Sequence, residues 1–173
     1  MSITLSSASL PVFQTALSNL LHCLNKAEAN AAARKFDPNV FVTMRLAPDM
    51  LPFAAQIRIA CDAAKNGTAR LAGIEAPKFE DNETTFAELQ ARVRKTLDWL
   101  ATVPAASIDG REEAAITFPV GRDKTRTMTG EAYLKHWALP NLFFHVTTAY
   151  ALLRHNGVDL GKTDYLVGDQ AGA

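Results

Sequence analysis

Residues 137–153 read WALPNLFFHVTTAYALL, and this stretch is apolar on almost every side of a helix. A helix of that kind is buried on several sides, so other elements of the fold must surround it. Pro140 lies inside the stretch, where its missing N–H and its ring disturb the preceding turn. The sequence therefore predicts a buried last helix with a kink at its proline. We expect this helix to begin near Thr129 or Gly130 and to end near Asn156.

Three earlier segments place apolar residues at the three-and-four spacing of an amphipathic helix. They predict helices from about Ser9 to Ala33, from Pro48 to about Leu71, and from Thr85 to just before Pro104. Thr85 and Glu88 have the spacing of a capping box, in which each side chain binds the backbone N–H of the other residue. Four long helices predict an all-α four-helix bundle. A chain of 173 residues suits one such domain over residues 1–173.

The segment before the last helix has a different pattern. In residues 112–129, Ile116, Phe118 and Val120 alternate with other residues, and Gly121–Asp123 can turn the chain. This alternation predicts a small hairpin or an extended loop. Two strands alone are marginally stable, so we expect the insertion to pack against the bundle.

The charge balance argues against a nucleic-acid partner. The 18 Lys and Arg residues match 18 Asp and Glu residues, which leaves no basic footprint for a polyanion. Arg92–Lys95 is the densest basic stretch, and helical spacing predicts that it spreads over a solvated face. No apolar run approaches the roughly 20 residues of a membrane span. Residues 1–21 also lack the basic region of a secretory signal, so we expect a cytoplasmic protein without a membrane partner.

Cys23 and Cys61 both lie in apolar helical patterns, which favours buried free thiols. Among the four histidines, His155 suits the negative end of the last helix, and His22 has the pattern of an ordinary helix residue. His136 and His145 are nine residues apart and therefore lie on opposite sides of a straight helix. A shared metal ion is thus unexpected for that pair.

A polar row crosses the apolar last helix. Asn141, His145 and Thr148 follow the i, i+4, i+7 spacing of one stripe. Buried polar groups need partners, so the row indicates a network, an ion or a ligand. The alternative interpretation is a solvent-facing side or a satisfied structural network.

The second helix offers a matching pair of polar residues. With Arg58, Asp62 and Lys65 taken as its solvent side, Asp49 and Gln56 lie roughly opposite, among core residues. Asp49 has an alternative role, because an acidic residue also stabilises a helix N-terminus. We therefore expect Asp49, Gln56, Asn141, His145 and Thr148 to be the ligand-binding candidates of one internal cleft.

Segments spread over most of the chain carry a family resemblance. They are Leu46–Pro52 leading into Gln56, Ala60–Lys65, Leu139–Tyr150, Leu152–Val158, Leu160–Lys162 and Asp164–Leu166. Together they resemble a bacterial family of unknown function in the DinB/YfiT-like superfamily of metalloenzymes. This resemblance implies a four-helix bundle, often dimeric, with three histidines that bind a divalent metal. One of these ligands comes from the second helix and two come from the last helix, in a His-x-x-x-His pair.

This sequence departs from that ligand pattern. His145 matches one ligand of the last helix, but Asn141 and Ala149 occupy the partner positions, and the second helix offers only Asp49 or Gln56. Zinc and nickel favour nitrogen and sulfur ligands. We therefore predict no cofactor, with a zinc or nickel ion as the alternative and His145 as its only candidate ligand.

Three functions follow as hypotheses. The first is binding of a small molecule in an inter-helical cleft whose metal site is degenerate or absent. The second is a non-enzymatic homodimer, with Trp137, Phe143, Phe144 and Tyr150 as its aromatic surface. The third, implied by the resemblance, is a metal-dependent transferase that uses a low-molecular-weight thiol. The sequence leaves open whether any reaction is catalysed.

Overall fold

The computed structural model describes residues 3–169. Its four long helices are α1 (Leu10–Ala33), α2 (Phe53–Ala72), α3 (Phe86–Ala101) and α5 (Leu139–His155). They pack as a bundle in which α5 lies against α2 and α1, and α3 lies against the same two helices. The predicted all-α four-helix bundle is therefore confirmed.

The last helix contains a wider turn just before its proline. The short helix α4 (Gly130–Tyr133) continues through a π-helical turn, Leu134–Ala138, into α5. In that turn the Leu139 N–H donates to the Leu134 carbonyl, five residues back. Such a turn is a known way for a helix to depart from regular i→i+4 bonding. Pro140 cannot donate to the carbonyl of His136, and the wider turn directly precedes it.

The predicted start of α2 is wrong by five residues. The helix begins at Phe53 rather than Pro48, because Pro52 is extended, with φ −69° and ψ 165°. A proline also disfavours helical geometry in the residue before it. The Phe53 N–H donates to the Met44 carbonyl at 2.8 Å, so residues 44–52 form a turn-rich segment that leads into the helix.

The predicted hairpin is present. Strands β1 (Ala115–Pro119) and β2 (Thr125–Thr129) pair in antiparallel fashion, with Ile116 opposite Met128. Ile116 and Phe118 are buried, so one face of the hairpin leans on the bundle. The Phe118 ring lies 4.8 Å from the Tyr133 ring and 4.9 Å from the Trp137 ring, between centroids.

Two predictions of solvated charges are wrong. Lys65 and Arg92 are buried, because the segment between α2 and α3, residues 73–85, folds over them. Lys65 Nζ donates to the Pro77 carbonyl at 2.9 Å, and Arg92 Nη1 bonds the Glu83 carboxylate at 2.8 Å. A tertiary contact from a loop thus covers a helix face that periodicity alone assigns to solvent.

The end of the chain folds back onto α1. Helix α6 (Lys162–Leu166) packs there, and its Asp164 carboxylate accepts from His22 at 2.8 Å and from Lys26 at 3.0 Å. Cys23 and Cys61 are free and buried, as predicted, and burial raises the pKa of each thiol to about 12. Within residues 3–169, every helix is too short or too polar to cross a bilayer.

Candidate functional site between helices α2 and α5

Two buried polar side chains meet where α2 and α5 pack. Gln56 lies in the first turn of α2, and His145 lies near the middle of α5. The imidazole Nδ1 and the Gln56 Oε1 atom are 2.7 Å apart, while Gln56 Nε2 donates to the Leu51 carbonyl at 3.1 Å. The second bond fixes the orientation of the amide, so Oε1 is the acceptor and Nδ1 carries the proton. His145 is only 8% exposed, and Gln56 is 1% exposed.

This arrangement makes His145 a neutral acceptor. Burial lowers the pKa of the imidazole below its ordinary value of 6.5. With the proton on Nδ1, the lone pair of Nε2 remains available. No group among the described residues hydrogen-bonds Nε2. The Phe144 ring stands edge-on to the imidazole, with centroids 5.1 Å apart.

A separate groove lies further along α2, and neither Gln56 nor His145 lines it. Ile59 lies one turn after Gln56, and Asn141 lies one turn before His145, so the groove begins one helical turn from the pair. The groove has a volume of about 190 Å³. Its lining residues are Ile59, Asp62, Ala63, Asn66, Arg70, Pro119, Tyr133, Trp137, Ala138 and Asn141.

The groove combines polar groups with an aromatic wall. Asn66 on α2 and Asn141 on α5 are half-buried amides, and Trp137 and Tyr133 stand beside the hairpin residue Pro119. Arg70 Nη1 donates to the Tyr133 hydroxyl at 3.0 Å. Burial raises the pKa of that hydroxyl, and the Arg70 bond opposes the rise, so Tyr133 stays a neutral phenol.

The comparisons with known proteins bear on this fold and its family. The family model described as "Domain of unknown function (DUF1993)" matches residues 5–166. The chain belongs to the DUF1993 family. It is also similar to a DinB family member protein from Shewanella denitrificans, known from a crystal structure. The two are 42% identical over 94% of this chain and 91% of the other, with a TM-score of 0.85. No protein of curated function matches its sequence.

Family and fold are thus shown, and the predicted resemblance to DinB-like proteins is confirmed. A DUF1993 match carries no activity with it, since the family is described by its unknown function.

The structure brings together some of the predicted site residues of this DUF1993 protein and separates others. Gln56 and His145 are in direct contact, and Asn141 lines the adjoining groove. Thr148 is buried, but its hydroxyl donates to the Phe144 carbonyl of its own helix at 2.7 Å. That hydroxyl is satisfied locally, as the structural interpretation of the polar row requires.

The prediction that Asp49 faces the core is wrong. Asp49 is exposed and lies in the turn before α2, because the helix begins only at Phe53. Its predicted inward direction assumed a helical phase that the chain has not yet adopted. The alternative role at a helix N-terminus also lapses for Asp49, since three residues lie between it and the first helical residue, Phe53.

The predicted ligand-binding candidates did not include several residues that line the groove, among them Asn66, Arg70, Tyr133 and Trp137. Asn66 and Arg70 continue the helical stripe of Gln56, and Tyr133 and Trp137 continue the stripe of His145 at steps of four. Extending each stripe beyond the first polar pair would have found them. Trp137 was predicted as part of a dimer surface instead, and Tyr133 gave no signal because a large aromatic residue at helical spacing usually indicates core.

The residues present do not fit the metal site that the DinB/YfiT-like resemblance implies. The positions concerned are Gln56, Asn141 and His145, which offer one imidazole and two amides. The Gln56 amide is already hydrogen-bonded, since its oxygen accepts from His145 and its nitrogen donates to the Leu51 carbonyl. Over residues 3–169, no three His, Cys, Asp or Glu side chains converge in a way that could hold a metal ion. Zinc and nickel need more nitrogen or sulfur donors than this set supplies.

Proposed function

We propose that this DUF1993 protein binds a small organic molecule in the groove between α2 and α5, without a resident metal ion. The observation that carries the proposal is the side-chain composition of the groove. Asn66, Asn141 and Arg70 present polar groups beside the aromatic wall of Trp137 and Tyr133. Concave sites with apolar walls and a few convergent polar groups are the usual form of ligand pockets.

The size of the groove limits the ligand. Its volume of about 190 Å³ is below the ~300–1,000 Å³ of pockets for drug-sized molecules. A compact metabolite or a single ring with one or two polar groups suits such a space. The flat face of the ligand would lie against Trp137, and its polar groups would bind the two asparagine amides.

The Gln56–His145 pair lies outside the groove lining, one helical turn from the groove residues Ile59 and Asn141. Its hydrogen bond holds the imidazole in a single tautomer one turn from Asn141. Cys23 and Cys61 lie outside this function, because both thiols are buried and protonated. The proposed role is therefore binding.

The test is a fragment screen observed by NMR. Trp137 lines the groove, whereas Trp99 belongs to α3, so the two indole N–H signals separate binding in the groove from binding elsewhere. We expect the library to contain both neutral and charged fragments that bind in the groove. These fragments should shift the Trp137 signal, leave the Trp99 signal in place and raise the Tm of the protein.

Two variants make the screen specific. Asn141→Phe fills the groove and should abolish these shifts, whereas Asn82→Phe adds the same ring at an exposed position and should preserve them. Fragments that bind both variants equally, or a library without any fragment that moves Trp137, would contradict the proposed function.

A second candidate function, self-association, has one observation in its favour. Phe143 is 39% exposed and Phe144 is 57% exposed, and Phe143 borders an apolar groove of about 340 Å³ between α1, α5 and α6. Trp137 and Tyr150, by contrast, are half-buried, so the aromatic surface is smaller than the sequence predicts. Sedimentation velocity tests this candidate. A dimer that Phe144→Glu dissociates would support it, and a monomer at all concentrations would contradict it.

A further inference from the structure

The charged groups around the groove are unequally compensated. Arg70 is half-buried, and one of its N–H groups donates to Tyr133 at 3.0 Å. Its guanidinium carbon lies 5.8 Å from the centre of the Phe118 ring and 5.9 Å from that of the Tyr133 ring. Among residues 3–169, no carboxylate forms an ion pair with Arg70. Four of the five N–H groups of the guanidinium are thus without a protein acceptor in the described contacts.

Asp62, the acidic residue that lines the groove, already pairs with two other cations and does not compensate the charge of Arg70. Asp62 pairs with Lys65 at 3.1 Å and with Arg92 at 3.0 Å. The network around it is balanced, because three cations face three carboxylates. Its members are Arg58, Lys65, Arg92, Asp62, Asp81 and Glu83. The uncompensated charge of the groove is therefore the positive charge of Arg70.

The guanidinium is also held in a defined orientation. The hydrogen bond to Tyr133 and the rings of Phe118 and Tyr133 restrict its plane. A planar guanidinium binds a carboxylate through two parallel N–H···O bonds, and orienting it beforehand lowers the entropy lost on binding. Beyond Arg70, the groove offers the Trp137 ring and the Ile59 side chain to an apolar body.

We propose that Arg70 is the carboxylate-binding residue of the groove and that the ligands are small organic acids. The carboxylate lies on the free edge of the guanidinium, and the hydrocarbon part of the ligand lies against Trp137. Asn66 and Asn141 bind a further polar substituent. This inference rests on the proposed function and narrows it to one chemical class.

Benzoate and benzamide provide a matched pair of probes, because they share a ring and differ in charge. We expect benzoate to shift the Trp137 indole signal saturably in the intact protein, with the Trp99 signal unchanged. Benzamide should bind at least about tenfold more weakly, which corresponds to about 1.4 kcal/mol. Inorganic phosphate should not move Trp137 at concentrations where benzoate saturates it.

Three variants locate the charge effect. Arg70→Met keeps the side-chain stem and should lose benzoate binding by about tenfold or more, with a much smaller loss of benzamide binding. Arg70→Lys keeps the positive charge but lacks the paired N–H groups of the guanidinium. Its affinity for benzoate should therefore be intermediate. Arg154→Met removes an exposed arginine of α5 and should bind benzoate like the unmodified protein. Circular dichroism and the Trp99 signal report whether each variant is folded.

Equal binding of benzoate and benzamide to the intact protein would overturn the inference even if Arg70→Met fails to fold. Undiminished benzoate binding by folded Arg70→Met would also overturn it, as would phosphate that competes at lower concentration. Neutral fragments that move Trp137 without any preference for acids would leave the proposed function standing and remove this inference alone. If no fragment of any charge moves Trp137, both fail together.

Discussion

His145 Nδ1 and Gln56 Oε1 lie 2.7 Å apart across the interface of α5 and α2, with both side chains buried. The contact joins two positions that the DinB/YfiT-like resemblance connects with metal ligands. Here a hydrogen bond between neutral groups satisfies them instead. Each group therefore depends on the other, because a buried polar atom without a partner is costly.

Removing one partner of this pair should destabilise the fold. In His145→Leu the Gln56 oxygen loses its donor, and in Gln56→Leu the imidazole N–H loses its acceptor. We expect each variant to lose about 1–3 kcal/mol in the free energy of unfolding, measured by urea denaturation. The double variant should lose less than the sum, since neither side chain is then left unpaired.

His136→Leu is the matched control for that series, because His136 is exposed in the same part of the chain. Its free energy of unfolding should change by no more than about 0.5 kcal/mol. Strict additivity of the two single variants would contradict the coupling between Gln56 and His145.

Burial should make the His145 imidazole harder to protonate. Its pKa lies below the ordinary value of 6.5, because burial disfavours the charged imidazolium. As the pH falls below about 6.5, the unfolded chain binds a proton before the folded chain does. The contribution of His145 to stability is therefore complete above that pH and is lost as the pH falls towards the folded-state pKa.

An NMR titration of the imidazole nitrogens measures this pKa and the tautomer together. We expect the proton on Nδ1 at neutral pH and a midpoint below the ordinary value of 6.5. A His145 midpoint above 6.5, or a proton on Nε2, would contradict the assigned hydrogen bond.

The buried ion-pair network predicts a large effect at a residue far from the groove's aromatic wall. Arg92 joins Asp62, Asp81 and Glu83 and holds the segment 73–85 onto α3. Arg92→Met leaves Asp81 without a cation and removes the closest cation of Glu83, and we expect a loss of about 3–5 kcal/mol in the free energy of unfolding. Arg94→Met, at an exposed position of the same helix, should lose about 0.5 kcal/mol or less. Similar losses in both variants would show that the network adds nothing beyond ordinary surface pairs.

Helix α6 should be released by acid. Burial opposes ionisation of Asp164, but the Gly161 N–H, His22 and Lys26 outweigh it and lower the pKa of this carboxyl to about 2. The ordinary value is 3.8, so Asp164 stabilises the fold fully above that pH and loses its effect as the pH falls towards 2. The Tm difference between the unmodified protein and Asp164→Asn should therefore be large at pH 7 and small near pH 2.

Asp159→Asn serves as the control, because Asp159 is exposed in the connection before α6. Its Tm should match that of the unmodified protein at both pH values. A Tm difference for Asp164→Asn that does not change with pH would rule out the carboxylate as the origin of the stabilisation.

The sequence correctly predicted the features that short-range interactions determine. The capping box of α3 forms as expected, with the Glu88 carboxylate accepting the Thr85 N–H at 2.8 Å. The hairpin and the four helices likewise follow from residue spacing. Helical phase even paired Gln56 with the stripe of His145, since both helices bury those faces.

The predictions that are wrong depend on features that residue spacing does not encode. Lys65 is buried because the distant segment 73–85 covers it, and no spacing along α2 encodes that contact. Asp49 was misplaced because Pro52, rather than Pro48, sets the start of the helix. Arg70 escaped notice because an arginine on a helix is usually solvated. Its functional interest comes from lacking a carboxylate partner among the described residues, which only the packed structure reveals.

The metal content of the purified protein tests the account of the Gln56–His145 pair most directly. Elemental analysis of untagged protein, beside His145→Ala, should find no stoichiometric zinc or nickel in either sample. The physical reason is the donor set, in which Gln56 is committed to His145 and Leu51 and leaves too few nitrogen ligands. Added zinc should accordingly change the Tm of both proteins by the same small amount. Stoichiometric metal in the unmodified protein that disappears in His145→Ala would instead require the amide of Gln56 to turn away from the imidazole.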